Sequence, residues 1–476
     1  MTHRLRLRLA PVGAAALCAG LWSATPAVAA GPRGDPFDTA RLAPPTPASA
    51  WRDDAPVAVP CRPGEALPAR LTLAAAVDLA LCRNPRTRES WAAARVAAAQ
   101  SGTARAATLP SLSASVDARA SDNRNGIVAG RRDQATGTLS LNYLLFDFGG
   151  RNATVEQARQ ALLAADWTHN TTLQAVMLAA GQAYFEQFAA EESVSAAAAA
   201  EKSARQSLEA TEARQKAGTA TRADVLQART ALSQTVLART QAEGEAAASR
   251  GALATALGLP PGSAPPLAPP TDVEDRAAAA SAVDALIERA LDARAELRAA
   301  AASEAAARAA VTVESSATRP TVSLFANGST GAVSPGPDPR SVAVGVTVSV
   351  PLFQGHQEIY RVRAARESAA RAAASRERLR SEVALEVWRN WQAVRTQSQA
   401  VSAAADLVTS AGESYELSLG RYRAGVGNVL DLLTAQTALT QARAQQIQAR
   451  LRLNVSKLAL ARAVGTLDPA LFTAAR

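Results

Sequence analysis

The chain repeats itself at a fixed offset. Arg214-Gln215-Lys216-Ala217-Gly218-Thr219, followed by Ala223-Asp224-Val225-Leu226, returns as Arg421-Tyr422-Arg423-Ala424-Gly425-Val426, followed by Leu430-Asp431-Leu432-Leu433. The offset is 207 residues, and it also carries Leu145-Phe146 onto Leu352-Phe353 and Leu253-Ala254 onto Leu460-Ala461. Residues 105–110 recur as 315–320 at an offset of 210. A constant offset with small slips marks a duplicated structural unit. Any fold must therefore place two similar units, residues 71–259 and 280–467, joined by a Pro-rich linker at 260–279 and followed by a short tail at 468–476.

Each copy reads long helix, strand, loop, strand, very long helix, turn, long helix. Strands are expected at Leu109–Ala120 and Gly137–Phe146, and again at Pro320–Ser329 and Ser341–Leu352. In the first, Leu112, Ala114, Val116 and Ala118 alternate with Ser113, Ser115, Asp117 and Arg119; in the last, Val342, Val344, Val346 and Val348 alternate with Gly345, Thr347 and Ser349. Period two over about ten residues describes a strand with one apolar and one polar face. It is also the length of a tilted membrane-crossing strand. Between and after these strands, proline is missing from Arg151 to Ala217 and the composition is Ala, Glu, Gln, Arg, Leu and Ser. Rods are expected at Arg151–Ala217 and Gln357–Ala424, with returning helices at Arg222–Leu257 and Val429–Val464. Gly218-Thr219-Ala220-Thr221 and Gly425-Val426-Gly427-Asn428 supply a glycine helix stop and a Thr or Asn N-cap, which makes a tight helical hairpin.

Residues 1–30 have the form of a secretory signal peptide: Arg4, Arg6 and Arg8, a short apolar stretch Ala10–Trp22, and small residues at Ala27-Val28-Ala29. Removing those three arginines lowers the formal charge from +9 to +6. The remaining arginines are dispersed with Glu and Asp along the helices, a solvated face rather than a nucleic-acid surface. Residues 31–70 carry nine prolines and are expected to form an extended arm. The mature chain keeps Cys61 and Cys82, and an exported protein with one pair invites a disulfide. Closing about 20 residues would contribute roughly 3 kcal/mol. A free pair is the alternative. His3, His169 and His356 are dispersed, and nucleotide-loop, nucleophile-elbow and HExxH motifs are missing, so neither catalysis nor a cofactor or metal is expected.

Four amphipathic strands cannot close a barrel around a pore, and an open sheet edge is forbidden in lipid. Oligomerisation is therefore expected. Three copies supply twelve strands and six helical hairpins, a membrane barrel continued by a helical tube. The competing reading is a poreless coiled-coil envelope protein.

The motifs Leu71-Thr72-Leu73, Asn84-Pro85, Leu109-Pro110-Ser111-Leu112, Leu145-Phe146-Asp147-Phe148-Gly149-Gly150-Arg151, Val350-Pro351-Leu352-Phe353 and Tyr422-Arg423-Ala424-Gly425 occur in this order. In order and spacing they resemble the TolC family of outer-membrane factors, over Leu71 to Leu467. The Cys61–Cys82 segment is similar to the branch serving toxin exporters of the cyclolysin type. The resemblance implies a mainly α fold with a 12-stranded trimeric β-barrel in the outer membrane. It implies a passive duct reaching into the periplasm, working with a periplasmic adaptor (membrane fusion protein) and an inner-membrane ABC transporter. The cargo would be a secreted toxin; a multidrug or metal efflux pump is the alternative, and nucleic acid is not a partner. By position, the adaptor-docking tips are Gly218, Thr219, Gly425 and Val426. Asp431 falls on the first of two constriction aspartates, Thr434 replaces the second, and Tyr422 with Asp224 falls on a gating link. Gly427 stands where an arginine partner is common in the family.

Overall fold

The structure, a computed structural model, describes residues 35–52, 55–57, 67–123, 130–269, 282–469 and 472. The expected signal peptide, Cys61 and residues 31–34, 53–54 and 58–66 of the arm lie outside these residues. The elements in chain order are β1 (Ala50–Arg52), β2 (Ala55–Val57), α1 (Leu73–Arg83), α2 (Pro85–Ala106), β3 (Ser111–Asn123), β4 (Gly130–Phe146), α3 (Gly150–Lys216) and α4 (Arg222–Ala256). The second copy supplies α5 (Val283–Ala293), α6 (Ala295–Ser316), β5 (Thr321–Ser334), β6 (Arg340–Ser349), α7 (Gln357–Arg423) and α8 (Val429–Val464). Among the described residues, no helix is long and apolar enough to cross a membrane.

The compact units are not the two repeats. One comprises Met1–Ala43, Arg95–Leu162 and Ala302–Ala373; the other comprises Pro44–Ala94, Leu163–Ala301 and Ala374–Arg476. Each draws on both copies, because the elements of one copy satisfy those of the other.

The first unit holds a four-stranded antiparallel sheet in the order β3-β4-β5-β6. The copies join at its centre, where β4 pairs with β5. The register sets Leu112 opposite Leu141, Leu139 opposite Gly328, Ala326 opposite Val344, and Leu324 opposite Val346. Apolar side chains therefore share one face, while Ser113, Ser140, Asn327 and Ala343 share the other. The apolar face is uncovered within the chain: Leu112, Leu139, Val342, Val344, Val346 and Val348 are all exposed, Val342 by 85%. On the polar face the Phe325 ring lies where a Cβ at position 345 would be 2.8 Å away, which accounts for Gly345 inside a valine-rich strand. β3, β4 and β5 run past the expected ends, because the hairpin ladder continues through polar pairs such as Ser121–Arg132. β6 stops at Ser349, short of the expected Leu352, since Pro351 has no N–H for the ladder.

The strand-to-helix motif is a capped turn. The Asp147 carboxylate accepts from the backbone N–H groups of Gly149 (3.2 Å) and Arg151 (2.7 Å) and pairs with the Arg151 guanidinium at 3.4 Å. Phe148 and Gly149 both have positive φ, 53° and 89°. At Gly150 a Cβ would lie 2.4 Å from the Ser316 hydroxyl, so glycine lets α3 approach α6 here without displacing Ser316.

In the second unit, α1 packs its buried face (Leu73, Ala76, Val77, Ala80, Leu81) against Leu173–Phe185 of α3 and Leu253–Leu257 around the end of α4. Leu286, Ala290 and Leu297 repeat this against Val383, Val387, Val394 and Leu460. The duplication extends to single bonds. Asn84 Nδ2 donates to the Ala256 carbonyl at 3.0 Å, and at the matching place Arg294 Nη1 donates to the Ala463 carbonyl at 3.3 Å. Arg294, 4% exposed at its side chain, is neutralised by Glu296 (2.9 Å) and Glu386 (2.6 Å). Burial pushes the Glu296 carboxyl up, but the Arg294 hydrogen bond and charge outweigh it and hold the group below its ordinary range.

The described residues of the arm and linker make specific contacts. Trp91 Nε1 donates to the Pro44 carbonyl at 2.7 Å, and Ala48 and Ser49 are buried. Leu71 bridges Leu267 in parallel, and the Tyr184 hydroxyl donates to the Ala268 carbonyl at 2.7 Å. Cys82, at the end of α1, is disulfide-bonded. Two further buried titratable groups lie on α3. His169 contacts the Ser90 hydroxyl at 2.7 Å, and burial lowers its pKa to about 4. The Asp166 carboxyl oxygens have no hydrogen-bond partner, and burial raises the pKa to about 7.

Candidate functional site: the paired hairpin turns

Both helical turns form as their sequences require. Gly218 (φ 76°) and Gly425 (φ 86°) reverse the chain in the left-handed region. The Thr221 hydroxyl accepts from Asp224 N, and the Asp224 carboxylate accepts in return from Thr221 N at 2.8 Å, a complete capping box. Asn428 Oδ1 accepts from Asp431 N at 2.8 Å. Gly218, Thr219, Gly425 and Val426, the expected docking tips, are all exposed. Val426 is 70% exposed and Leu430 62%.

Beneath the turns lies an apolar cluster of Tyr415, Leu419 and Tyr422 from α7 with Val429, Leu432 and Leu439 from α8. α3 meets this cluster with three polar side chains at helical spacing. Ser207 Oγ donates to Gln436 Oε1 at 3.2 Å, and the Tyr422 hydroxyl donates to Thr211 Oγ1 at 3.1 Å. Arg214 Nη1 donates to the carbonyls of Tyr422 (3.0 Å) and Gly427 (3.3 Å), and Nη2 donates to Thr219 O at 3.3 Å. The guanidinium carbon also sits 4.6 Å from the centre of the Tyr422 ring. One arginine thus ties the turn of the first copy to the turn of the second. Of these acceptors the Tyr422 carbonyl lies in the last turn of α7, where a cation also meets the negative end of the helix dipole, and the Gly427 and Thr219 carbonyls lie in the turns themselves.

Both residues of the expected gating link, Tyr422 and Asp224, lie at this site. Tyr422 is fully buried, but within the chain it is linked to Thr211 and Arg214; among the described residues no hydrogen bond joins it to Asp224, whose carboxylate is engaged at its own cap. The Asp224 carboxylate is taken up by the N–H and hydroxyl of Thr221, three residues away. Gly427 lacks a side chain but contributes its carbonyl, and a Cβ there would lie 3.1 Å from Tyr422 N. Asp431 and Thr434 lie one turn apart on α8, both exposed. Thr434 lines a groove of about 390 Å³ with Leu430, Leu433, Thr437, Ala438 and Gln441. Ser207, Thr211, Arg214 and Gln436 were not anticipated. Their signal is a polar i, i+4, i+7 stripe on an alanine-rich helix, which looks like a solvated face until the partner is known.

Nothing in this site is arranged for bond chemistry, and among the described residues no group of His, Cys, Asp and Glu could hold a metal ion.

The family model for outer membrane efflux protein matches residues 76–259 and 286–466, one match to each copy. Protein CyaE of Bordetella pertussis is 32% identical over 419 residues, covering 86% of this chain and 87% of that protein. The outer-membrane channel OprN superposes with a TM-score of 0.73 at 23% identity, covering 83% of this chain and 90% of its own. CusC superposes with a TM-score of 0.74 at 19% identity, covering 89% and 98%. The duplicated sheet-and-hairpin architecture and these matches agree: the chain belongs to the outer membrane efflux protein family, has the TolC-type fold, and is an outer-membrane channel protein.

Proposed function

We propose that the chain is the exit duct of a type I secretion system, assembled as a homotrimer and exporting a polypeptide toxin. The observation that carries the assembly is the sheet: its apolar face is uncovered and its outer strands β3 and β6 each keep an unpaired edge. Lipid tolerates neither edge, so each must pair with another copy. The likeness to protein CyaE supports the secretion reading, in line with the resemblance of the Cys61–Cys82 segment to the toxin-exporting branch. A periplasmic adaptor would dock at Gly218, Thr219, Gly425 and Val426, and an ABC transporter would supply the energy. Cys61 is the expected disulfide partner of Cys82, tying the arm to α1.

Asp431 and Thr434 would face the lumen at the constriction. Three copies of Asp431 make a carboxylate ring that favours cations. Asp431→Ala should reduce cation preference in planar bilayers; an unchanged reversal potential would remove Asp431 from the lumen. Mass measurement in detergent should give a trimer, and a stable monomer would sink the assembly. Deleting the chain beside an intact transporter and adaptor should trap the polypeptide inside the cell. If secretion persists and only resistance to small toxic molecules is lost, the efflux-pump reading replaces this one.

A further inference from the structure

The stripe on α3 that joins the two copies inside one chain has a twin. Adding the 207-residue offset to Ser207, Thr211 and Arg214 gives Ser414, Ser418 and Arg421 on α7. The first stripe is spent: each member is bonded to the second copy. The second stripe is not. Ser414 and Arg421 are exposed, and the Arg421 guanidinium has no hydrogen bond or ion pair with any described residue of its own chain. Meanwhile the turn that Arg421 would need is intact elsewhere. The turn of the first copy has the same left-handed glycine and the same cap at Thr221 as the second copy has at Gly425 and Asn428. By the offset, its Gln215 and Ala220 carbonyls stand where Tyr422 and Gly427 stand in the second turn.

We propose that Ser414, Ser418 and Arg421 form the seam to the next copy of this chain, with Arg421 donating to the Gln215 and Ala220 carbonyls of that copy. The site is incomplete in one chain because its acceptors are on another. A closed ring of similar hairpins repeats one kind of junction, so the contact made inside the chain is the template for the contact between chains. The two junctions are not equal. Arg214 also stacks on the Tyr422 ring, whereas Arg421 would meet Gln215, which has no ring. The seam between chains therefore lacks the cation–π part of the latch and is the weaker one, the first to part when the tips spread. This inference rests on the trimeric duct.

The test uses the full chain in outer membranes with the native cysteines retained. Arg421→Cys combined with Ala220→Cys should give covalent dimers and trimers with a bifunctional thiol reagent that spans an arginine side chain and its hydrogen bond, resolved on a denaturing gel. The in-chain pair Arg214→Cys with Gly427→Cys should cross-link without raising the mass. Trimers in detergent that yield no cross-linked oligomer from the first pair would overturn the seam and leave the duct standing; a monomer in detergent would overturn both. Arg421→Ala, a change at an exposed position, gives a second readout. It should lower the temperature at which the trimer dissociates and shift the open-to-closed ratio at least about tenfold, the order expected for one charge-assisted hydrogen bond. Unchanged dissociation and unchanged conductance would also overturn the proposal.

Discussion

Arg214 makes its bonds to main chain, so its contribution depends on the backbone of both turns being held by their glycines and caps. Arg214→Ala should cost about 2 kcal/mol in thermal unfolding, from lost charge-assisted bonds and stacking, and should raise single-channel conductance. Arg214→Lys should recover little, since a point charge cannot span several carbonyls as a planar fork does. Wild-type conductance and unfolding in Arg214→Ala would show that the latch is idle. Asp166 is the opposite case, a buried carboxyl without a partner. Its pKa is raised from 3.8 to about 7, so the unfolded chain loses the proton first and folding stability falls as pH rises through that interval. Asp166→Asn should therefore raise the melting temperature more at pH 8 than at pH 4. Removing the penalty of an unsatisfied buried group is worth about 1–3 kcal/mol. A gain of equal size at both pH values would place the charge elsewhere. The capping residues Thr221 and Asn428 were legible from the sequence because a cap acts within three residues. Arg214 was not, because its acceptor at Tyr422 is 208 positions away.

At the scale of elements, the helices end within one residue of where glycine, Thr and Asn predicted, while the strands did not. Helix ends are set by local capping. A strand extends as far as its partner offers a ladder, which is why β4 begins at Gly130 rather than Gly137 and β6 stops before Pro351. The alternation of Val342, Val344, Val346 and Val348 did announce a one-faced strand, and the register confirms a single apolar face across all four strands. In an outer-membrane channel that face meets lipid. Val344→Arg should therefore destabilise the folded barrel in bilayers by about 2–4 kcal/mol if it lies near the midplane. The change Ala343→Arg, on the polar face of the same strand, should be tolerated. Equal tolerance of both would mean that the sheet does not cross the membrane as assigned.

At the scale of the whole chain, the repeats are sequence units but not spatial ones, since each compact unit draws on both copies. The buried junction of α5 and α6 shows how the second copy is secured: Arg294 and Arg462 share Glu296 and Glu386. Glu296 has a folded-state pKa below its ordinary 4.5, so its contribution is full above that value and is lost as pH falls through the lower folded value. Glu296→Gln should destabilise the protein by roughly 1–3 kcal/mol near neutrality, since Arg294 keeps Glu386. The gap to wild type should narrow progressively as pH falls below the ordinary 4.5. A gap that stays constant across that range would rule out an ionised Glu296 as its source.

The duplication, the kinds of element, their order and the helical turns could all be read from the chain alone, because periodicity, capping and glycine stops act over a few residues. The family likeness was legible for the same reason, being a series of short motifs in order. Which elements satisfy one another could not be read there. That β4 pairs with β5, that Tyr422 meets Thr211 and Arg214, and that one polar stripe is spent while its twin is free were decided by tertiary structure. Two equivalent stripes have the same local pattern, and only packing, which brings together groups some two hundred residues apart, makes one a core contact and leaves the other facing outward.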